Sequence, residues 1–460
     1  MSSSGTRRDG EGDSRAFDTL GRGARWGVLV ASFLGLVFDG MELGLMPVAS
    51  LSVSQSLLGE RYSKGLGGEW FAWFTAALML GAAIGGIVLG NLGDRIGRTR
   101  AMGISILFYS VFAMFGVWVQ TQEQMLVLRF MVGLGVGGVW PNAMALVSEC
   151  WPTASKAWVA GLLSAGLNAG ILMLSQITRM YPITPESWRW LFGLAGFPAV
   201  LGLFALFLVP ESPTWLVHRK GVGSGAVRGV GTSGAERVVL GALFLGGMWR
   251  GTSLAMVVAA IPLVSAWSAS KWMIPWADSV ASGVDVGYKS ATQGWWALGA
   301  TLGSFFGAQI AVWFGARWSY FWISLFSVVV TLWMFLGTAP LEASFLPTVF
   351  VQGLVTTFFF GWLAVYLPGF FPLEVRATGS GLAYNVGRFA TAFGVLATGS
   401  LLATFGNSYP SIGAACGGLY GLGCLVAWCC LSGVIGGSAI GTREKGSAVG
   451  SRELQGESRK

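Results

Sequence analysis

Hydrophobic residues in this chain come in long unbroken runs rather than in alternating or amphipathic patterns. Twelve runs are long enough to cross a hydrocarbon core of about 30 Å, at roughly 25–46, 70–90, 101–120, 124–147, 157–178, 190–209, 252–276, 292–314, 318–338, 345–367, 379–403 and 412–436. Short polar turns separate most of them. A longer hydrophilic stretch, 211–250, follows the sixth run, and polar segments at 1–24 and 437–460 end the chain. The pattern predicts an all-α membrane protein whose twelve transmembrane helices form two six-helix bundles, 25–210 and 251–436, with a linker between them and a tail at each end. The first run is too long for a signal-peptide core and carries Asp39 and Glu42, so it reads as a retained helix.

Composition narrows the class. Hydrophobic residues make up 53% of the chain and charged residues only 11%, a balance that the surface of a water-soluble protein of this length would not tolerate. Basic residues cluster in alternate loops, among them Arg95, Arg98, Arg100, Arg219, Lys220, Arg237, Arg317 and Arg376, while the opposite loops hold only Arg61, Lys64, Arg179, Arg189 and Lys289. Cytoplasmic loops are the ones enriched in Lys and Arg. Both termini are therefore expected in the cytoplasm, with the chain in the cell's inner or plasma membrane. The net charge of +8 fits an anionic lipid leaflet and gives no sign of a nucleic-acid partner.

Catalytic chemistry has little to work with. His218 is the single histidine and lies in a basic loop, and the five cysteines lack metal-ligand spacing. No G-x-x-x-x-G-K-[ST] run supports nucleotide binding. No metal, cofactor or enzyme activity is expected, and the chain is read as a monomer.

The two bundles repeat one another. A shift of about 220 residues brings Trp151-Pro152, Lys156-Ala157 and Gly161-Leu162 onto Phe371-Pro372, Arg376-Ala377 and Gly381-Leu382. A shift two residues shorter places Gly97 on Gly315 and Asp94 on Val312. Internal repeats of this kind build transporter folds, with the solute site between the repeats near the bilayer midplane.

The turn after the second run, Gly90-Asn91-Leu92-Gly93-Asp94-Arg95-Ile96-Gly97-Arg98-Thr99-Arg100, closely resembles the loop signature of the major facilitator superfamily. Arg129-x-x-x-Gly133-x-Gly135-x-Gly137-Gly138 resembles that superfamily's fourth-helix motif, and Pro210-Glu211-Ser212-Pro213-Thr214-Trp215-Leu216 the run that ends the sixth helix of its sugar and organic-acid porters. The segment from Phe371 to Gly379 and on through Asn385-Val386-Gly387-Arg388 is similar to that of proton-linked sialate and aromatic-acid symporters. The resemblance implies alternating access, with Gly90, Asp94, Arg95, Gly97, Arg98, Glu149 and Arg376 as a conformational latch. In it, Asp94 packs against the start of the eleventh helix when the cavity faces outward, and Arg98 bridges to Glu149.

Charges inside the spans are costly and need a partner or a purpose. Asp39 lies about 21 Å beyond Arg25 at the helical rise of about 1.5 Å per residue. Phe38-Asp39-Gly40-Met41-Glu42 resembles the acidic element of aromatic-acid symporters, where such pairs serve proton coupling or substrate handling. Arg129 enters to a similar depth on the fourth run, and since the resemblance implies that the first and fourth helices lie side by side, an Asp39–Arg129 pair that opens and closes is expected. Static readings stand beside these: Asp39 and Arg129 as fixed structural ions, Glu42 reaching an interface. Arg388 fits either a clamp on an anionic solute or a role in satisfying local carbonyls. Asn168, Asn385, Trp140 and Asn142 complete the candidate solute site, and Trp267 and Trp362 are placed at its border. Lys271 is read as an interfacial lysine. Val139 stands where symporters of this type carry a glutamate, which leaves coupling to Asp39, Glu42 and Arg129. The chain is thus read as a secondary-active carrier importing a carboxylate with a proton. A neutral-sugar porter, an exporter or a solute receptor that does not transport are the alternatives.

Overall fold

A computed structural model describes residues 20–151, 155–217, 243–244, 248–372 and 375–431. Both tails and most of the linker fall outside them, so the expected domain limits there carry no structural account.

The first half contains α1 (Arg22–Leu58), α2 (Lys64–Ile96), α3 (Arg98–Met114), α4 (Gln122–Cys150), α5 (Lys156–Met180) and α6 (Arg189–Leu208). The second contains α7 (Met248–Ala281), the 49-residue run Tyr288–Leu336, α10 (Phe345–Tyr366), α11 (Arg376–Leu401) and α12 (Tyr409–Cys429). That long run is two helices, α8 (288–314) and α9 (316–336), divided at Gly315. Ten continuous stretches are long and apolar enough to span a bilayer. Splitting the long run and adding the more polar α11 gives twelve helices among the described residues, as the hydrophobic runs predict.

Gly97 and Gly315, paired by the sequence repeat, sit at φ values of 113° and 73°, where a side chain would be strained. The second hairpin has Val312, Trp313 and Ala316 in place of Asp94, Arg95 and Arg98 but has kept the glycine that turns it.

Helices gain nothing from the hydrophobic effect by leaving lipid for one another, so small residues that allow close backbone approach must hold them together. A Cβ built on Gly85 would fall 1.9 Å from the Leu134 carbonyl oxygen, and one on Gly137 2.2 Å from that of Ala82, which locks α2 against α4. A Cβ on Gly303 would likewise fall 2.2 Å from the Leu354 carbonyl oxygen and one on Gly353 2.2 Å from that of Trp296, so the second half repeats this seam between α8 and α10. Gly40 against Leu167 and Gly170 against Val37 close α1 onto α5. Between the halves, α2 runs along α11 and α5 along α8.

The halves are tied together at the face opposite the Gly90–Arg100 hairpin. There Lys289 Nζ donates to Ser52 Oγ at 3.0 Å and to Asp278 Oδ2 at 3.1 Å, and Tyr409 Oη donates to the Lys64 carbonyl at 2.9 Å. Trp272 stacks on Tyr409 and meets Phe71 edge-on, and Arg179 pairs with Asp285.

Gly85→Ala should destabilise the protein by about 1–3 kcal/mol, because backbone must move to admit the methyl group. Gly283→Ala, with nothing within 4 Å of its Cβ and no unusual φ, should be neutral. Thermal unfolding of the purified variants checks this, and equal midpoints would show that the α2–α4 seam tolerates a side chain.

Candidate functional site

Below the closed face lies a cavity of about 500 Å³ between the two halves. Its lining runs from Lys271 and Trp296 to Pro368 and Ser380, at the hairpin-side ends of α10 and α11, so it reaches toward the hairpin face. Of the solute-site candidates, Arg388, Asn168, Asn385 and Trp140 line it, joined by Asp39 and Trp267.

Asp39 is only 2% exposed, and its Oδ1 has no hydrogen-bond partner among the described residues. Arg388, from α11, interacts with it electrostatically. The same guanidinium donates to the Ala82 carbonyl at 3.1 Å and lies over the Tyr384 ring at 5.1 Å. Arg388 thus satisfies a local carbonyl and also lines the cavity. Asn385 Nδ2 donates to Gly381 O at 3.0 Å, and its Oδ1 has no partner among the described residues. Asn168, the repeat counterpart of Arg388, donates to Ser304 Oγ at 2.8 Å and so joins α5 to α8 across the cavity wall.

Four expectations need correction. Arg129 is paired with Glu42, both fully buried, and not with Asp39. Three residues along a helix turn the side chain by about 300°. That phase difference of 60° is enough to send Asp39 to the cavity and Glu42 into the α1–α4 seam. Asn142 does not line the cavity; its Nδ2 donates to Leu89 O and Gly138 O, at 3.0 and 2.8 Å, and its Oδ1 fills the space that glycine leaves at Gly93. Trp362 is buried away from the cavity, with its indole N–H donating to Ala316 O at 2.8 Å beside the Gly315 turn. Lys271 is not interfacial: it is 3% exposed and lines the cavity. It lies in a 3₁₀ turn, Ser270–Trp272, that breaks α7. Pro275 is the signal that sequence reading passed over, because it has no N–H to give the carbonyl of residue 271 and its ring crowds that carbonyl.

At the hairpin, Arg98 pairs with Asp94 and approaches Glu149 at 3.5 Å, so the expected Arg98–Glu149 bridge forms. Glu149 also accepts from Ser212 Oγ and, at 2.9 Å, from Thr214 Oγ1. Glu211 Oε1 accepts from Thr99 N at 3.0 Å, at the start of α3, where unpaired amides and the helix dipole favour an anion. The Trp215 indole donates to Asp94 O at 2.9 Å. The run 210–216 thus clasps the hairpin, a role for Glu211 that sequence reasoning missed although the Pro-Glu-Ser-Pro run marked the place. Asp94 and Arg95 are exposed, a Cβ on Gly90 would meet the Pro141 ring at 3.9 Å, and Arg376 Nε donates to Phe371 O at 3.3 Å.

A profile of the sugar (and other) transporter family matches residues 28–236. A cis,cis-muconate transport protein of Acinetobacter baylyi is 27% identical over 397 residues, 84% of this chain and 90% of its own. An inner membrane metabolite transport protein of Escherichia coli K12 is 29% identical over 412 residues, 82% of this chain and 88% of its own. Among solved structures, the E. coli xylose transporter XylE in a partially occluded inward open conformation matches with a TM-score of 0.66 and 16% identity, covering 88% of this chain and 97% of that one. At that identity the likeness speaks for the fold alone. What the chain shares with these proteins is not one motif but a fold and nearly the full length, and it is a secondary transporter of a small organic solute, of the major-facilitator type.

Proposed function

We propose that this carrier imports a small carboxylate together with a proton by alternating access, in the cell's inner or plasma membrane, with the hairpin face and both termini in the cytoplasm. The bundles 25–210 and 251–436 are the rocking units, and 211–250 is the cytoplasmic linker. The observation that carries the reading is that Asp39, from the first half, and Arg388, from the other, share one cavity lined by aromatic rings. The basic loops support the orientation, and the muconate transport relative supports the solute class.

Guanidinium and carboxylate form strong, directional pairs. A solute carboxylate that engages Arg388 draws that charge away from Asp39, and Asp39 left without it in a dry site takes up a proton. Rocking to the other face reverses both steps. Glu42 and Arg129 brace α1 against α4 so that Asp39 keeps its place. The family-profile match favours a second reading, a neutral sugar as solute. Counterflow in proteoliposomes with labelled benzoate and labelled xylose separates the two.

Asp39→Asn should abolish uptake driven by a proton gradient while leaving part of the solute counterflow, since exchange needs no proton release. Full gradient-driven uptake by this variant would remove Asp39 from coupling.

Arg388→Lys keeps the charge but loses the planar fork, so carboxylate affinity should fall about tenfold, or about 1.4 kcal/mol, with normal delivery to the membrane. Unchanged affinity would sink the clamp role.

Asp94 in this arrangement is exposed and, among the described residues, its carboxylate pairs with Arg98 alone, consistent with a latch that docks on α11 in the opposite, outward-facing state. Asp94→Asn should then shift the population toward the inward-facing state and slow turnover more than it weakens binding. Labelling of single cysteines in the two vestibules of a cysteine-free background reads the shift, and unchanged accessibility with normal turnover would leave the hairpin a simple basic turn.

A further inference from the structure

Lys271 is a buried cation with no acceptor among the described residues. Its ammonium carries three donors, yet Nζ finds no hydrogen-bond partner and no carboxylate within 4 Å among the described residues. What surrounds it is aromatic: the Trp296 ring centroid lies 3.6 Å from Nζ and that of Trp267 5.3 Å. Ring faces stabilise a cation but leave its N–H donors unmet. The Trp296 ring is itself held, its indole N–H donating to Gln352 Oε1 at 2.8 Å and Gln352 Nε2 donating to Thr331 Oγ1 at 3.2 Å.

The other buried cations among the described residues are paired. Glu42 answers Arg129, and Asp278 answers Lys289. Arg388, half-buried, donates to the Ala82 carbonyl and interacts electrostatically with Asp39 without forming an ion pair. Lys271 alone among these points its charge into the cavity without a counterpart, and it does so some way from Arg388. Gly387, next to Arg388, packs on Leu263, eight residues before Lys271. At the helical rise that separates the two cations by about 12 Å along α7, a gap their own long side chains shorten.

We propose that Lys271 is a second anchoring residue for the solute, so that the cavity takes an elongated planar acid with an acceptor group at each end. One end pairs with Arg388. The other pairs with Lys271, and the flat unsaturated body lies against Trp267 and Trp296. An unsaturated dicarboxylate fits this chemistry best. The inference rests on the carboxylate reading above and goes beyond it by naming the second pole and the shape of the solute.

The test uses two probes that share one carbon skeleton, trans,trans-muconate with a carboxylate at each end and sorbate with a methyl group at one of them. Thermal stabilisation of the purified protein gives their apparent affinities. The wild type should bind muconate at least tenfold more tightly than sorbate, and in Lys271→Met the two should come within twofold of each other. Lys271→Arg should keep most of the preference. A Lys271→Met variant that still prefers muconate tenfold, or a wild type that binds both alike, overturns the two-pole site and leaves the carboxylate reading intact. Binding of neither probe overturns both. Should Lys271→Met fail to fold, acylation of the wild-type lysines by acetic anhydride, read by peptide mass spectrometry, serves in its place. Muconate should slow modification of Lys271 but not of Lys64, and equal rates with and without it would reject the contact.

Discussion

An ion moved out of water without a partner costs several kcal/mol even after relaxation, and more in hydrocarbon than in a protein interior. That cost sorts the charges of this molecule into two groups. Arg129 with Glu42, and Lys289 with Asp278, are matched inside the protein and tie helices together. Arg98 is held between Asp94 and Glu149 at the hairpin. Asp39, Lys271 and Arg388 have no such ion pair among the described residues, and all three line the central cavity. A charge that the fold does not neutralise faces the one place where a solute or a proton can.

The rest of the architecture serves to keep those three side chains opposite one another. Glycine lets α2 meet α4, and α8 meet α10, backbone to backbone, so each half is held by contacts that a rotamer change cannot undo. At the closed face the halves meet through side chains instead: Lys289 on Ser52, Tyr409 on the Lys64 carbonyl, Arg179 on Asp285. Such contacts are exchanged at much lower cost than a backbone seam. The break in α7 joins the two regions, because the same turn carries Lys271 toward the cavity and Trp272 into the stack on Tyr409 that closes the opposite face.

The hairpin cluster follows a similar economy. The free amides at the start of α3 are met by Glu211 from far along the chain, and Glu149 gathers Arg98, Ser212 and Thr214 around one carboxylate. The second half has lost these charges and kept only the turn at Gly315, supported by the Trp362 indole on the neighbouring Ala316 carbonyl. The repeat preserves backbone shape on both sides, while ionic clasping is confined to one.

The sequence by itself determined the number of helices, the doubling of the fold and the family, because hydrophobic length, turn glycines and loop charge are local properties that a bilayer reads one segment at a time. It also singled out Asp39, Arg388, Asn168, Asn385 and Trp140, all of which line the cavity between the halves, since charge and amide groups at mid-span depth have few places to face. Only the tertiary structure decided which of them meet. A 60° difference in helical phase gave Arg129 to Glu42 and freed Asp39, and neither depth nor spacing along one helix reveals the phase of its neighbour. Asn142 went to backbone carbonyls rather than the cavity for the same reason. Lys271 was misread as interfacial because its depth was counted along an unbroken helix, whereas the turn over Ser270–Trp272 redirects the side chain, and where a side chain points after such a break depends on what packs around it.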